Sequence, residues 1–166
     1  DGVFRVLSTH GDTRLGGDDI DALIAARIAT ALAAQGADAQ TEDPFVRQAL
    51  RRAAENLKIE LSARAQATLH LDLGAHGSHS FAMSRGELDD LARPLVERSL
   101  ASVRAALSDA ELSPEDIDHV LLVGGSTRMP VVRQSLQDLM GQAPRADVDP
   151  DLAVALGAAI QADILA

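Results

Sequence analysis

The stretch VLLVGGSTRMP, residues 120–130, constrains the fold more than any other part of this sequence. Its apolar first half is typical of a buried strand, and Pro130 opens a predicted helix that reaches Met140. Between them, Gly124 and Gly125 predict a tight turn with free backbone N–H groups and no β-carbon to keep a ligand away. The stretch therefore predicts an α/β fold with room for a phosphate or sugar beside the turn.

Taken alone, the two glycines leave two interpretations open. The turn lacks both the Gly-Lys-Ser/Thr of a Walker A loop and the GxGxxG dinucleotide pattern, so a purely structural strand-to-helix turn fits equally well. Arg128 favours a ligand, because its planar guanidinium can lie on a base in a chain with only 2% aromatic residues. The alternative for Arg128 is a surface salt bridge.

Apolar periodicity outlines the remaining elements. Alternation predicts a strand over residues 3–8 and a hairpin over residues 66–83. Helical spacing predicts helices that start at Asp18–Asp19, at Asp43–Pro44, at the Ser84–Glu87 capping box and after Asp149–Pro150. The first is expected to end at Gly36, and the third to be kinked at Pro94. A short turn of helix is expected from Ser113.

These elements predict an α/β protein of two parts. Residues 1–16 and 94–166 are expected to form an α/β sheet subdomain, in which the small residues of the last helix pack closely on the sheet. Residues 17–93 are expected to form an inserted helix-and-hairpin subdomain.

Composition excludes several classes of protein. The net charge of −10 disfavours nucleic acid as a partner, because affinity for phosphate backbones comes from clustered Lys and Arg. The absence of cysteine excludes disulfides and thiolate metal sites and fits the cytoplasm. No apolar run of about 18 residues and no signal pattern addresses the chain to a membrane.

A second polar cluster lies on the helix predicted after Pro44. Glu55, Lys58 and Ser62 are spaced by three and then four residues, so they share one helical face and could bind a polyol such as ribose. The alternative is an exposed Glu–Lys pair that contributes roughly a few tenths of a kcal/mol.

Two further constellations carry less weight. His70, His76 and His79 on the hairpin could ligate zinc or nickel, but no cysteine or carboxylate at evident ligand spacing completes the set, and exposed hairpin histidines are the favoured interpretation. Ser126 lies outside any GxSxG elbow and has no identifiable His–acid partners, which disfavours a hydrolase.

Four motifs in one order resemble a known family over essentially the whole chain: GDTRLGGDDID, AAENLKIELS, LVGGSTRMPVV and DPDLAVALGAAIQADIL. They look like the second lobe of the ATPase domain of the DnaK-type 70-kDa heat-shock chaperones. The short hairpin, the segment Ala92–Val96 and the ending Ile160–Leu165 are most similar to the HscA branch, the iron–sulfur-assembly chaperones.

The resemblance implies an actin-like ATPase lobe of the ribonuclease H-like class, with an inserted helix-plus-hairpin subdomain. It implies that this lobe holds the adenosine part of ATP or ADP. By motif, the residues implied at the sugar and α-phosphate are Glu55 and Lys58 at the ribose hydroxyls, Gly17 at the sugar, and Gly124, Gly125 and Ser126 at the ribose and α-phosphate turn. Those implied at the base are Ser62 at the adenine, Arg128 on the adenine face, Asp151 near the base, and Ile59 as an aliphatic wall.

The resemblance also implies what this chain lacks. The family's first phosphate loop, its catalytic lysine and its second phosphate loop are absent, so the chain alone is not expected to hydrolyse ATP or to hold Mg²⁺. The parent protein would couple ATP hydrolysis to protein folding or iron–sulfur cluster assembly, with a nucleotide-exchange factor, a J-domain co-chaperone and a client protein as partners. Two alternatives are a docking module for the exchange factor and a lobe of another actin-like ATPase.

Overall fold

The computed structural model describes residues 5–36, 43–74 and 77–165, with the side chain of residue 165 left out. The chain divides into two compact units. We call Leu15–Leu95 the helix-hairpin unit, and Asp1–Arg14 together with Val96–Ala166 the terminal unit.

Two helices dominate the helix-hairpin unit, α1 (Gly17–Ala34) and α2 (Pro44–Ala63). The predicted caps are confirmed: the Asp43 carboxylate accepts from the Phe45 N–H at 2.8 Å, and Gly36 follows α1 with a φ of +82°. Their apolar stripes face each other and form an aliphatic seam, whose buried members are Ile20, Ile24, Ile28, Leu32, Val46, Leu50, Ala53, Ala54, Leu57 and Leu61.

The predicted hairpin is also confirmed. Strands β1 (Gln66–Asp72) and β2 (Ser78–Ser84) pair antiparallel, with Leu69 opposite Phe81 and Ala67 opposite Met83. The alternating apolar side chains share one face, and β1 packs against α2 while β2 packs against α1. This face buries the hairpin on the two helices and gives the unit its core.

Helix α3 (Arg85–Asp109) begins directly after β2. Ser84 and Glu87 form the predicted capping box, in which the Glu87 carboxylate accepts from the Ser84 N–H at 2.8 Å. The helix continues through Pro94, one residue before the boundary between the two units.

In the terminal unit, Met129 and Pro130 begin α4 (Pro130–Met140) as predicted, and Gly141 ends it with a φ of +69°. A 3-10 turn at Pro114–Asp116 follows Ser113, also as predicted, and packs against α4 together with a second 3-10 turn at Gly125–Arg128. Met129, Val131, Leu136 and Met140 are buried there.

The predicted strands of the terminal unit are wrong for the residues that the structure describes. Residues 5–8 and 119–123 lie outside any strand, and the apolar side chains of Val6, Leu121 and Val123 are exposed. A strand needs a neighbouring backbone along its whole length, whereas segment 120–124 makes only two bonds to residues 145–150: Arg145 N–H to Val120 O and Gly124 N–H to Pro150 O. Residues 3 and 4 of the first predicted strand lie outside the described part.

The last helix is α5 (Ala153–Leu165), which starts slightly after the predicted Asp149–Pro150. Its expected close packing on a sheet is wrong here, because Val154, Leu156 and Ile160 are more than half exposed and the described terminal unit contains no strand. Across the described ranges, no helix combines the length and the apolar character needed to cross a membrane.

Candidate functional site

The ammonium of Lys58 joins two helices of the helix-hairpin unit. From α2 it donates to the Asp21 carboxylate at 2.8 Å and to the Gly17 carbonyl oxygen at 3.3 Å, both on α1. The side chains of Lys58 and Asp21 are only 12% and 13% exposed. Lys58 is therefore fixed at the start of α1, where the GDTRLGGDDID and AAENLKIELS motifs meet.

The other predicted residues of α2 surround this ion pair. Glu55, one helical turn before Lys58, is exposed and has no hydrogen bond or ion pair to any described residue. The Ser62 hydroxyl donates to the Lys58 carbonyl oxygen at 2.8 Å, and Ile59 is 61% exposed. The alternative of an exposed Glu55–Lys58 pair is wrong, because Lys58 is largely buried and bonds Asp21 instead.

A cavity of about 370 Å³ opens between α1 and α2 beside Glu55. Asp18 and Asp21 line it from α1, and Arg51 and Arg52 line it together with Glu55 from α2. The mixture of acceptors and donors suits a ligand with several hydroxyl groups.

In the terminal unit, the glycine turn has the backbone that its sequence predicts. Gly124 has φ +92° and ψ 154°, a conformation that is open essentially to glycine alone, and its carbonyl oxygen accepts from the Thr127 hydroxyl at 2.6 Å. Gly125 starts the following 3-10 turn, and a β-carbon at that position would meet no atom within 4 Å.

Arg128 leaves this turn and bonds two carboxylates. Its guanidinium donates to Asp151 at 2.6 Å and to Asp149 at 3.1 Å, and the Asp149 carboxylate also accepts from the Asp151 N–H at 2.9 Å. Hydrogen bonding to Asp151 raises the pKa of Arg128 above its usual value. The surface salt bridge anticipated as the alternative role of Arg128 is thus present, with about half of the side chain still exposed.

A second cavity, of about 440 Å³, adjoins this arginine. Thr127 and Arg128 line it from the turn, Arg133 from α4, and Arg145 and Asp149 from the segment that precedes α5. Two of the three lining guanidinium groups are already paired, Arg128 with Asp149 and Asp151, and Arg145 with Asp147. The wall therefore offers both cationic donors and carboxylate acceptors to a polar ligand.

The family model described as Hsp70 protein matches residues 1–166, the whole of the sequence. The chain belongs to the Hsp70 family. It is 43% identical over 164 residues to proteins named "Chaperone protein HscA homolog" from two strains of Acidithiobacillus ferrooxidans. The match covers 99% of this chain and 26% of each of those relatives.

The four Hsp70-like motifs meet in pairs. In the helix-hairpin unit, Lys58 of the second motif bonds Gly17 and Asp21 of the first. In the terminal unit, Arg128 of the third motif bonds Asp151 of the fourth, and Ser126 is half-buried in the same turn with its backbone carbonyl accepting from the Met129 N–H. That both pairs hold one nucleotide stays a prediction.

Two residues with clear structural roles at these sites were not assigned roles from the sequence. Asp21 binds Lys58, and Asp149 binds Arg128. The signal for Asp21 was its position one helical turn after Gly17, on the same face of α1. For Asp149 it was the repeat of aspartate on both sides of Pro150.

The hairpin histidines do not form a metal site in the described part of the chain. His70 shares a hydrogen bond of 3.0 Å with the Ser80 hydroxyl, and His79 has an interaction of its own. No group of three or more potential metal ligands occurs among the described residues, and His76 lies outside them.

Proposed function

We propose that this chain is the adenosine-binding lobe of an ATP-dependent Hsp70-type chaperone, built like the second lobe of an actin-like ATPase. The observation that carries the proposal is the cavity between α1 and α2, which Asp18 and Asp21 of the first motif line together with Glu55 of the second, while Lys58 bonds Asp21 beside it. The polar groups at this cavity are suited to the ribose of ATP or ADP.

Each predicted residue then has a chemical task. The free carboxylate of Glu55 accepts hydrogen bonds from the ribose hydroxyls, and Lys58 donates its remaining N–H to the same diol. Gly124 and Gly125 allow the sugar and the α-phosphate to approach their backbone N–H groups. Arg128, oriented by two aspartates, lies against the adenine face.

In the whole protein, hydrolysis of ATP would drive protein folding or iron–sulfur cluster assembly in the cytoplasm. Mg²⁺ and the groups that stabilise the γ-phosphate belong to other parts of such a protein, so the 166 residues alone bind the nucleotide weakly and do not turn it over. A J-domain co-chaperone and a client protein are partners of the whole protein, and a nucleotide-exchange factor docks on this lobe.

A single lysine makes the nucleotide-binding proposal directly testable. An adenosine nucleotide whose ribose has been oxidised to the 2′,3′-dialdehyde reacts with an amine beside the sugar, and Lys58 is the only lysine of the sequence. We expect borohydride-trapped label on the peptide that contains Lys58, with protection by excess ADP. The Lys58→Arg variant is the control. Label confined to the N-terminal amine, or label insensitive to ADP, would contradict the proposal.

A further inference from the structure

Asp21 does more than neutralise a neighbouring charge. The Lys58 ammonium has three N–H donors, and α1 uses two of them, through the Asp21 carboxylate and the Gly17 carbonyl oxygen. The third donor remains for a ligand. The ion pair thus fixes the position of the ammonium beside α1.

A largely buried ion pair in this place is weak evidence of a gain in stability. The α1–α2 seam is otherwise aliphatic, and an apolar pair of similar volume in such a seam is often as stable as two charges or more stable. One oxygen of Asp21, Oδ1, is buried and has no hydrogen-bond partner among the described residues, which adds to the cost of placing a carboxylate there. A requirement other than packing therefore accounts for the pair.

The choice of lysine points the same way. Lys58 is the only lysine in this chain, and every other residue of the Lys and Arg class is arginine. An ammonium is a compact point charge with rotatable donors, whereas a guanidinium is a broad planar fork. The narrow, largely buried position between Asp21 and Gly17 suits the former.

The most consequential effect concerns Glu55. Glu55 lies three residues before Lys58 on the same helix, a spacing at which Glu and Lys side chains ordinarily pair. Because Asp21 holds Lys58 on the α1 side, Glu55 keeps an exposed carboxylate with no bond to any described residue. Without Asp21, the lysine would be released to pair with Glu55, and both groups would be lost to a ligand.

We propose that Asp21 is a positioning residue that holds Lys58 against α1 and so keeps Glu55 available to accept hydrogen bonds from a ligand diol. The identity of the diol as ribose rests on the proposed function above, whereas the hold of Asp21 on Lys58 does not. The two statements are therefore tested by separate measurements.

The first measurement needs no nucleotide. In protein labelled with 15N at the lysine side chain, the single ammonium gives one NMR signal, which survives exchange with water only while the group is held. We expect this signal in the unsubstituted chain and in Glu55→Gln and Glu60→Gln, and its loss or shift towards that of free lysine in Asp21→Asn. An unchanged signal in Asp21→Asn would overturn the inference.

The second measurement compares ADP with 2′-deoxy-ADP by calorimetry. We expect the unsubstituted chain to prefer ADP by about three- to tenfold, the effect of losing one or two hydrogen bonds, and Asp21→Asn to lose this preference. Asp21→Glu, which keeps the carboxylate, should retain part of it. A merely structural role of Asp21 would weaken both nucleotides equally and leave the ratio unchanged.

The double variant Asp21→Leu/Lys58→Met guards against a folding defect, because the apolar pair is expected to keep the seam intact by circular dichroism. It should bind ADP and 2′-deoxy-ADP with equal affinity. If the ammonium signal depends on Asp21 but the unsubstituted chain binds no adenosine nucleotide, the proposed function fails and the hold on Lys58 stands. If Asp21→Asn keeps the full preference for ADP, the positioning role is overturned.

Discussion

Arg128 and Asp151 lie 23 residues apart in sequence, and their side chains are joined by a hydrogen bond of 2.6 Å. This bond connects the third motif, which contains the glycine turn, with the fourth motif, which begins just before α5. Asp149 binds the same guanidinium nitrogen at 3.1 Å, so two carboxylates hold one edge of an arginine that is otherwise half exposed. A guanidinium held in this way loses little conformational freedom when a flat ligand packs on it.

Replacement of Arg128 by alanine is therefore expected to weaken ADP binding by roughly 0.5–2 kcal/mol, the range of cation–π contacts. Arg104→Ala is the matched control, since Arg104 is a similarly exposed arginine in the same unit, pairs with Glu97 and does not line the cavity beside Arg128. Titration calorimetry measures the ADP affinity of both variants. Equal losses in the two would mean that ADP responds only to the general charge of this surface.

Substitutions at two nearby residues of α2, Leu57 and Ile59, distinguish an effect on stability from an effect on nucleotide binding. Leu57 is fully buried, whereas Ile59 is 61% exposed. We expect Leu57→Ala to lower the free energy of unfolding by about 2–5 kcal/mol, because it leaves a cavity in the seam. Ile59→Ala should change it by no more than about 0.5 kcal/mol. Urea unfolding followed by circular dichroism measures both.

If Ile59 forms the aliphatic wall of the adenine site, Ile59→Ala should still weaken ADP, since apolar contact with the base is lost. An unaltered ADP affinity together with unaltered stability would remove Ile59 from the proposed site.

Two carboxylates in the first turns of α3 have pKa values shifted in opposite directions. Hydrogen bonds from the backbone N–H and then the hydroxyl of Ser84 lower the pKa of Glu87. Burial raises the pKa of Asp89, against the opposing effect of Arg85 and Arg93, and Asp89 Oδ1 has no hydrogen-bond partner in the described part of the chain. The two groups should therefore affect stability with opposite dependence on pH.

The lowered pKa of Glu87 means that its contribution is present above pH 4.5, the ordinary pKa of glutamate, and is lost as the pH falls through the lower folded-state value. We expect Glu87→Gln to destabilise the protein at pH 7 by roughly 0.5 kcal/mol, the low end for an exposed cap. The difference from the unsubstituted chain should shrink below pH 4.5. Thermal melts at several pH values measure it.

Asp89→Asn should show the reverse. The raised pKa means that the folded state favours the protonated carboxyl, so its stabilisation is full below pH 3.8, the ordinary pKa of aspartate, and is lost as the pH rises through the higher folded-state value. We expect Asp89→Asn to be more stable than the unsubstituted chain at pH 7, by roughly a few tenths of a kcal/mol at this partly exposed position. Asp90→Asn is the neighbouring control. A loss of stability at pH 7 in Asp89→Asn would contradict the argument.

The helices and the hairpin could be predicted from the sequence because each is specified locally. An Asp-Pro cap, a Ser–Glu capping box and an apolar period of 3.6 or 2 residues each depend only on residues within a few positions of one another. The strand expected over residues 119–123 is not found in the structure, because strand pairing depends on a distant backbone that local sequence does not specify. An apolar run such as Val120–Val123 shows only that the segment is suited to burial.

The same difference separates the predictable part of the site from the rest. Glycines at a turn and polar residues on one helical face can be recognised from spacing alone. The partner of Lys58 could not, because Glu55 on the same helix was the nearer candidate in sequence and Asp21 on α1 is the partner in space. Burial of the seam decides between them, and burial emerges only when the two helices pack.

Gly124 and Gly125 provide the last test, because only the backbone conformation of Gly124 requires glycine. Gly124, with its φ of +92°, would carry backbone strain of about 1–3 kcal/mol as alanine. Gly125 has open space around its missing β-carbon, so Gly125→Ala should leave the free energy of unfolding within about 0.5 kcal/mol of the unsubstituted value.

If a ribose or phosphate approaches this backbone closely, Gly125→Ala should nevertheless weaken ADP binding, since the new methyl group occupies the approach. Calorimetry with ADP and urea unfolding on both variants separate the two effects, and a Gly125→Ala variant with full ADP affinity would place the nucleotide away from this turn.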